Sequence, residues 1–221
     1  MKPPEPSEWS KPAMSDMALP QVDAITGAPI APVTPGACDG AAERVLVERA
    51  RARDEEAFRV LVDLHRDRAY GLALRITRSR EEAADAAQEA FVRAWLALPR
   101  FRGDSAFGTW LHRIVARRSL DRALLAESRR RREVVLDDAD RLPAPVVAGT
   151  AGPEGLARRL ENLMERLSPA QRAVVTLHYW DDCPVAAIAS ALELSDNTVK
   201  THLRRARVAL REAWIREEGG R

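Results

Sequence analysis

The sequence predicts an all-α protein of two small helical domains, joined by a flexible acidic linker and preceded by a disordered proline-rich tail. Apolar residues recur at helical spacing through 41–132 and again through 156–216. Capping residues and prolines stand where these periodic segments begin. Residues 133–155 combine proline, glycine and acidic side chains without a period, which is typical of a linker. Residues 1–40 also lack a sustained period and are predicted to be disordered.

Composition limits the function classes. The 221 residues are 46% hydrophobic and 31% charged, which is ordinary for a strongly helical chain. No apolar run approaches the roughly 20 residues that span a bilayer, so we expect no membrane insertion. Residues 1–40 carry eight prolines and no apolar core, which argues against a secretory signal and for a cytoplasmic protein. Cys38 lies in the proline-rich tail and Cys183 in a turn, so we expect isolated reduced thiols that form neither a disulfide framework nor a CxxC metal site. No cofactor is expected.

The net charge of +2 is unevenly distributed along the chain. Residues 41–132 carry 21 basic and 14 acidic side chains, whereas the tail is acidic by 5 to 2 and residues 133–157 by 5 to 1. A basic domain between acidic segments favours a polyanionic partner.

Four helices are predicted in the first domain. A short helix runs from Ala41 to Ala52, and a longer one follows a cap at Asp54 and ends near Thr77. The third begins at a capping box formed by Ser79 and Glu82 and ends before Pro99. The fourth occupies 105–132. The apolar stripe of the second helix, which should pack on Phe91 and Trp95 of the third, comprises Phe58, Leu61, Val62, His65, Ala69, Leu72 and Ile76.

Helical geometry assigns two faces to the third helix. One sector is expected to be core and contains Ala84, Ala87, Phe91, Ala94, Trp95 and Leu98. Asp85, Glu89 and Arg93 point the other way and Gln88 lies at the border, so this face should be free. The fourth helix should bury a sector of Phe107, Trp110, Leu111, Ile114 and Leu125. Arg113 and Arg117 lie together at its edge.

The second domain has the pattern of a helix-turn-helix. Ser168 caps and Pro169 begins a helix to about Tyr179, followed by a turn at 180–183. Pro184 begins a short helix, Leu194 to Asp196 form a turn and cap, and a last helix follows from Thr198 to Trp214. Its buried stripe is Val199, Leu203, Ala206 and Leu210. The basic and polar residues outside that stripe suit the major groove and phosphates, as a recognition helix requires.

These segments together resemble the extracytoplasmic-function branch of the bacterial sigma-70 family of transcription initiation factors. The resemblance covers about 43–214 and is carried by four motifs: DAAQEAFVRAW from Asp85, FRGDSAFGTWLHRI from Phe101, LSPAQR from Leu167, and the stretch from Ile188 to Lys200. It implies a non-enzymatic protein with two domains, regions 2 and 4. It also implies three partners: RNA polymerase core, through its largest-subunit coiled coil and its flap, promoter DNA and an anti-sigma factor. No small-molecule substrate is implied.

The resemblance also implies site residues. Those that contact core polymerase are Asp85, Gln88 and Glu89. Those that capture the melted −10 strand are Phe101, Arg102, Gly103, Asp104, Ser105, Phe107, Trp110, Arg113 and Arg117. Candidates for the −35 duplex are Asn197, Thr198, Lys200, Thr201, Arg204, Arg205 and Arg207, of which Arg205 and Arg207, with Arg211, are expected on phosphates.

The chain departs from the family pattern at three places. Arg117 stands where asparagine is usual, Glu193 replaces the glycine common at the helix-turn-helix corner, and Cys183-Pro184 replaces a polar cap. Because of Arg117, the family's detailed −10 preference is not carried over to this chain. From the departures at Glu193 and Cys183-Pro184 we expect a tighter or slightly strained turn.

Two other function classes fit parts of the sequence. A duplex-binding regulator without polymerase explains the second domain but leaves 79–122 without a role. A metal-dependent nucleic-acid enzyme would use His178, Asp181, Asp182 and Cys183, which lie across one turn without a second ligand group.

Overall fold

The computed structural model describes residues 40–136 and 160–219, with two short strands before them. The strands, β1 (Gln21–Val22) and β2 (Pro29–Ile30), pair antiparallel with Gln21 opposite Ile30. The remaining residues of the predicted tail lie outside the described part, as does most of the predicted linker. Everywhere else the described structure is helix, turn or loop, so the all-α fold class is confirmed.

The first helical body consists of four helices, which agree closely with the predicted elements. They are α1 (Gly40–Arg51), α2 (Glu55–Thr77), α3 (Arg80–Ala97) and α4 (Phe107–Leu136), with a short 3-10 turn (Leu98–Arg100) after α3. The predicted caps are present, since Asp54 accepts from the backbone N–H of Ala57 and Ser79 from that of Glu82. The 3-10 turn contains Pro99, which cannot donate to a continued α-helix.

The core of the first body is built on small side chains of α3. Ala83, Ala86, Ala90 and Ala94 are each fully buried. Their small size lets α2 and α4 approach α3 closely, and Leu61, Leu72, Ile76 and Val115 fill the space between the helices. The predicted contact between Phe58 and Trp95 is confirmed, with ring centroids 4.9 Å apart.

Two predictions about inward-facing residues are wrong. Ala84 is exposed rather than core, because the buried line of α3 runs one position to the side, through Ala83 and Ala90. Leu125 is 56% exposed, because α4 buries Ala123 and Ala126 instead. Both errors come from extending a helical sector by geometry alone, without knowing which neighbouring helix covers it.

The second helical body contains α5 (described over 160–165), α6 (Pro169–Val175), a π-helical turn (Thr176–Trp180), α7 (Val185–Leu192) and α8 (Asp196–Gly219). Ser168 and Gln171 form a reciprocal capping box at the start of α6. The predicted helix to Tyr179 therefore ends in a π turn.

The two bodies pack against each other. Ala173, Val174, Leu177, Ile188 and Leu192 of the second body belong to the same buried cluster as the core of the first. The helices in contact are α4 with α6 and α7, and α2 with α6. Residues of the first body that face the second body are therefore partly covered by it.

Candidate nucleic-acid and protein interfaces

The helix-turn-helix is formed by α7 and α8. Ser195 caps α8, because its hydroxyl oxygen accepts from the backbone N–H of Thr198 at 3.1 Å. Val199, Leu203 and Ala206 are buried against the rest of the body. The predicted division of the last helix is confirmed at these three positions, although Leu210 is only half-buried.

The opposite face of α8 is basic and open. Its exposed residues are Asn197, Lys200, Arg204, Arg205 and Arg207, and Thr198 and Thr201 are half-exposed beside them. On the same helix, burial lowers the pKa of His202, and the charge of Arg205 lowers it further. The imidazole therefore adds less charge than its position suggests, and the positive potential comes from the arginines and lysine.

The corner between α7 and α8 is strained. Glu193 adopts the left-handed conformation, with φ 55° and ψ 44°, and its N–H bonds to the carbonyl of Ala189. This geometry favours glycine, since a side chain there costs about 1 kcal/mol. The expectation of a strained turn is thus supported at the residue that departs from the family pattern.

The loop before α4 has a buried aromatic base and an exposed polar tip. Phe101 and Phe107 are 8% and 3% exposed, and their rings lie 4.9 and 5.7 Å from that of the half-buried Trp110. The tip consists of Arg102, Gly103 and Asp104, with Ser105 half-buried. Gly103 has φ 79°, a conformation that other residues adopt only with strain. The two phenylalanines therefore support the tip from inside.

The basic edge of α4 is divided between solvent and the second body. Arg113 is exposed, whereas Arg117 is directed at the helix-turn-helix corner. The Arg117 guanidinium donates from Nη1 to the carbonyl of Leu192 at 2.5 Å, and its Nη2 lies 3.2 Å from a carboxylate oxygen of Glu193. The sequence places these side chains far apart, and only the fold brings them together.

The acidic face of α3 is not free. Asp85 lies 3.1 Å from Arg122 of α4, and Glu89 lies 3.1 Å from Arg93 and 3.6 Å from Arg118. Asp85 and Glu89 lie outside the buried core, but the arginines of α4 reach across to both, so the face is occupied by ion pairs. Gln88, by contrast, is exposed.

An apolar groove lies between α2 and α3, with a volume of about 540 Å³. Apart from Glu55 and Arg66 at its margins, its lining comprises Phe58, Val62, Tyr70, Ala84, Ala87, Gln88, Phe91, Val92 and Trp95. Sequence reasoning missed this groove because it assigned most of the α3 residues that line it to the core. The signal available in the sequence was the width of the apolar face of α3. Ala83, Ala86, Ala90 and Ala94 already form one buried line along the helix, so the second apolar line, which consists of Ala84, Ala87, Phe91 and Trp95, is left to line the groove.

The residues proposed for a metal site have other contacts. His178 Nδ1 lies 3.2 Å from the carbonyl of Cys183, and Asp181 lies 3.2 Å from His112 of α4. Across residues 40–136 and 160–219, no group of three His, Cys, Asp or Glu is placed to hold a metal ion. Within the same ranges, no helix has the length and apolar character needed to cross a membrane.

The fold places the chain in a class of helical proteins in which one of two bodies carries a helix-turn-helix. Comparison with known proteins identifies the family within that class. Sigma-70 region 2 matches residues 61–131, and Sigma-70, region 4 matches residues 157–210. The ECF RNA polymerase sigma factor SigW of Bacillus subtilis is 30% identical over 185 residues, which cover 75% of this chain and 93% of that protein. The ECF RNA polymerase sigma-E factor of Escherichia coli K12 is 33% identical over 184 residues, 76% of this chain and 92% of its own length.

Solved structures agree with the sequence comparison. CnrH, in complex with the cytosolic domain of CnrY, has a TM-score of 0.53 and is 25% identical; the match covers 79% of this chain and 97% of CnrH. The sigma factor RpoE of Bartonella quintana, in complex with the anti-sigma factor NepR, has a TM-score of 0.51 at 21% identity and supports the fold. The chain belongs to the ECF subfamily of sigma-70 family sigma factors, which direct transcription initiation by RNA polymerase.

Proposed function

We propose that this sigma factor reads −35 duplex DNA with the exposed face of α8. The observation that carries the proposal is the division of that helix, with Val199, Leu203 and Ala206 buried and the basic side chains outside. Asn197, Lys200, Thr201 and Arg204 lie among the first nine residues of α8, at the end that enters the major groove in a helix-turn-helix complex. Arg205, Arg207 and Arg211 are assigned to DNA phosphates. Thr198 is assigned to a contact that orients α8 on the duplex.

The loop before α4 is proposed to hold one unstacked base of the melted −10 strand. Its tip, from Arg102 to Ser105, offers a guanidinium, a hydroxyl and backbone groups to a base edge. Phe101, Phe107 and Trp110 hold the tip in place from below. Opening a base pair costs a few kcal/mol, which a fixed pocket offsets better than a mobile loop does. Arg113 and Arg117 then supply charge for the phosphates of that strand.

Core polymerase is proposed to bind α3 and the neighbouring groove. The groove is apolar, is open along its length and carries the exposed amide of Gln88, which suits a helix of the partner. Asp85 and Glu89 lie on the next face of α3, where their arginine partners hold them in fixed positions. The apolar groove supplies affinity, and the polar residues set orientation.

The function has further consequences. The protein acts by binding, without chemistry of its own, and works in the cytoplasm where polymerase is. A protein partner is supported by CnrH, which was solved in complex with the cytosolic domain of CnrY. We propose that an anti-sigma factor restrains this chain in the same general way.

The test is initiation by purified core polymerase of the host on fragments of the host genome. We expect new start sites that depend on the full chain and disappear when Lys200→Ala and Arg204→Ala are combined. Arg216→Ala, on the exposed end of the same helix, is the matched control and should retain activity. Tight duplex binding without any polymerase-dependent start would instead favour a helix-turn-helix regulator that acts without polymerase.

A further inference from the structure

The capture loop, as we call residues 101–107 before α4, ends at a phenylalanine that contacts rings from three elements. The ring centroids of Phe101 in the loop and Trp110 in α4 lie 6.4 and 5.7 Å from that of Phe107. From α2, the ring of His65 lies 5.3 Å from Phe107, with the two planes inclined by 59°. Because Phe107 is only 3% exposed, moving the His65 ring has to move Phe107 with it.

The ring of His65 also lies against the first turn of α4. A Cβ atom on Gly108 would lie 3.1 Å from Cε1 of His65 and 3.6 Å from Nδ1, and the first distance is shorter than an ordinary contact. The space left between α2 and α4 at this point is about 10 Å³, no more than one water molecule needs. His65 therefore sets the distance between α2 and the residue that directly follows the capture loop.

Glu43 of α1 fixes the orientation of this ring. Its Oε1 lies 3.4 Å from Nε2 of His65, and the two side chains are 25% and 16% exposed. Burial lowers the pKa of His65, against the effect of Glu43, so the ring is largely uncharged at neutral pH and suits contact with Phe107. The titratable and charged groups that face it are Glu43 from α1, Arg68 from α2 and His112 from α4.

We propose that His65, held by Glu43, is a positioning residue for base capture: it sets the place of Phe107 and, through it, the shape of the pocket for the unstacked −10 base. Helices α1 and α2 then contribute to strand binding without touching DNA. This inference rests on the proposed function, because it takes the capture loop as the base-binding element. A bound base contributes roughly five- to a hundredfold to strand affinity, provided that its pocket is fixed to within about 0.5 Å.

The experiment uses holoenzyme assembled from the host's core polymerase and the full chain, with single-stranded −10 oligonucleotides from a promoter at which this chain initiates. Each base is removed in turn, and the position whose loss weakens wild-type binding most marks the captured base. His65→Ala should weaken binding of the intact oligonucleotide three- to tenfold, whereas the oligonucleotide without the captured base should bind variant and wild type equally. An equal loss for both oligonucleotides would show a general structural role of His65 and overturn the inference.

Gly108→Ala provides a second test, because its methyl group and the His65 ring need the same space. With His65 present, Gly108→Ala should weaken binding of the intact oligonucleotide two- to fivefold. In the His65→Ala background the methyl group enters the space left by the ring, so Gly108→Ala should restore part of the lost affinity. Equal losses in the two backgrounds would overturn the contact as the origin of the effect.

A pair of substitutions on α1 tests the part played by Glu43. Glu43→Ala should reduce the preference for the intact oligonucleotide over the one without the captured base about twofold. Val47→Ala, one turn further along α1, is the matched control, because Val47 is 6% exposed and packs in the core. It should leave that preference unchanged. An equal reduction in both variants would overturn the role of Glu43.

The same measurements separate this inference from the proposed function. If wild-type holoenzyme distinguishes the captured base and His65→Ala does so equally well, only the positioning role fails. If wild-type holoenzyme initiates but binds every oligonucleotide of the series alike, base capture by the loop fails, and the positioning role fails with it.

Discussion

Replacing alanine by leucine should have opposite effects on the two sides of α3, the buried side that contains Ala90 and the groove side that contains Ala84. Ala90 is fully buried where α3 meets its neighbours, and Ala84 is exposed and lines the groove. Ala90→Leu adds three carbons to a closed space, which costs about 1 to 3 kcal/mol of unfolding free energy. For a chain of this length, each kcal/mol lowers Tm by about 2 to 4 °C, so we expect a fall of about 2 to 12 °C.

Ala84→Leu should leave stability within about 0.5 kcal/mol, because its added carbons enter the open groove. If the groove binds a helix of polymerase, the same carbons occupy space that the partner needs. We expect a loss of at least about 1 kcal/mol of binding free energy, or roughly fivefold in affinity for core. Thermal unfolding followed by circular dichroism gives the first quantity, and fluorescence titration with core polymerase gives the second. A destabilised Ala84→Leu, or a stable one with unchanged affinity for core, would refute the assignment of the groove.

Three further predictions concern single side chains. Ser195→Ala removes the cap that accepts from Thr198 N–H and should cost about 1 kcal/mol in urea unfolding, whereas a loss below about 0.3 kcal/mol would contradict the capping role. Burial lowers the pKa of His65, so the unfolded chain takes up this proton at a higher pH than the folded chain does, and the free energy of unfolding falls as pH drops below about 6.5. His65→Gln should flatten the dependence of unfolding free energy on pH. An unchanged dependence would refute this role of His65. Arg204→Ala should cost about 1 to 3 kcal/mol at one base position if it reads a base, or reduce the salt slope by about one unit if it binds phosphate, and no change in either quantity would remove it from the interface.

The fold was predictable because its signals are local. Caps at Asp54, Ser79 and Ser168, and the helical spacing of the apolar residues, depend on neighbours within a few positions. The division of α8 was predictable for the same reason, since Val199, Leu203 and Ala206 follow one helical line.

The remaining features depend on how elements pack, which local patterns do not specify. The sequence identifies an apolar sector on α3 but not which part of it a neighbour covers, so the groove was assigned to the core. Asp85 and Glu89 look free until the arginines of α4 are placed beside them. The contact of Arg117 with Glu193 joins residues of two bodies, and no periodic pattern relates them.

Two faces of one chain are assigned to two partners, and site-specific photo-crosslinking in a complete polymerase–promoter complex tests this most directly. A photoreactive residue at position 88, on the groove, should crosslink to polymerase, and one at position 204, on α8, should crosslink to duplex DNA near −35. Leu64, which is 43% exposed on the side of α2 away from the groove, is the matched control and should yield little of either product. Crosslinks to DNA from position 88, or to polymerase alone from position 204, would contradict the assignment of the two faces.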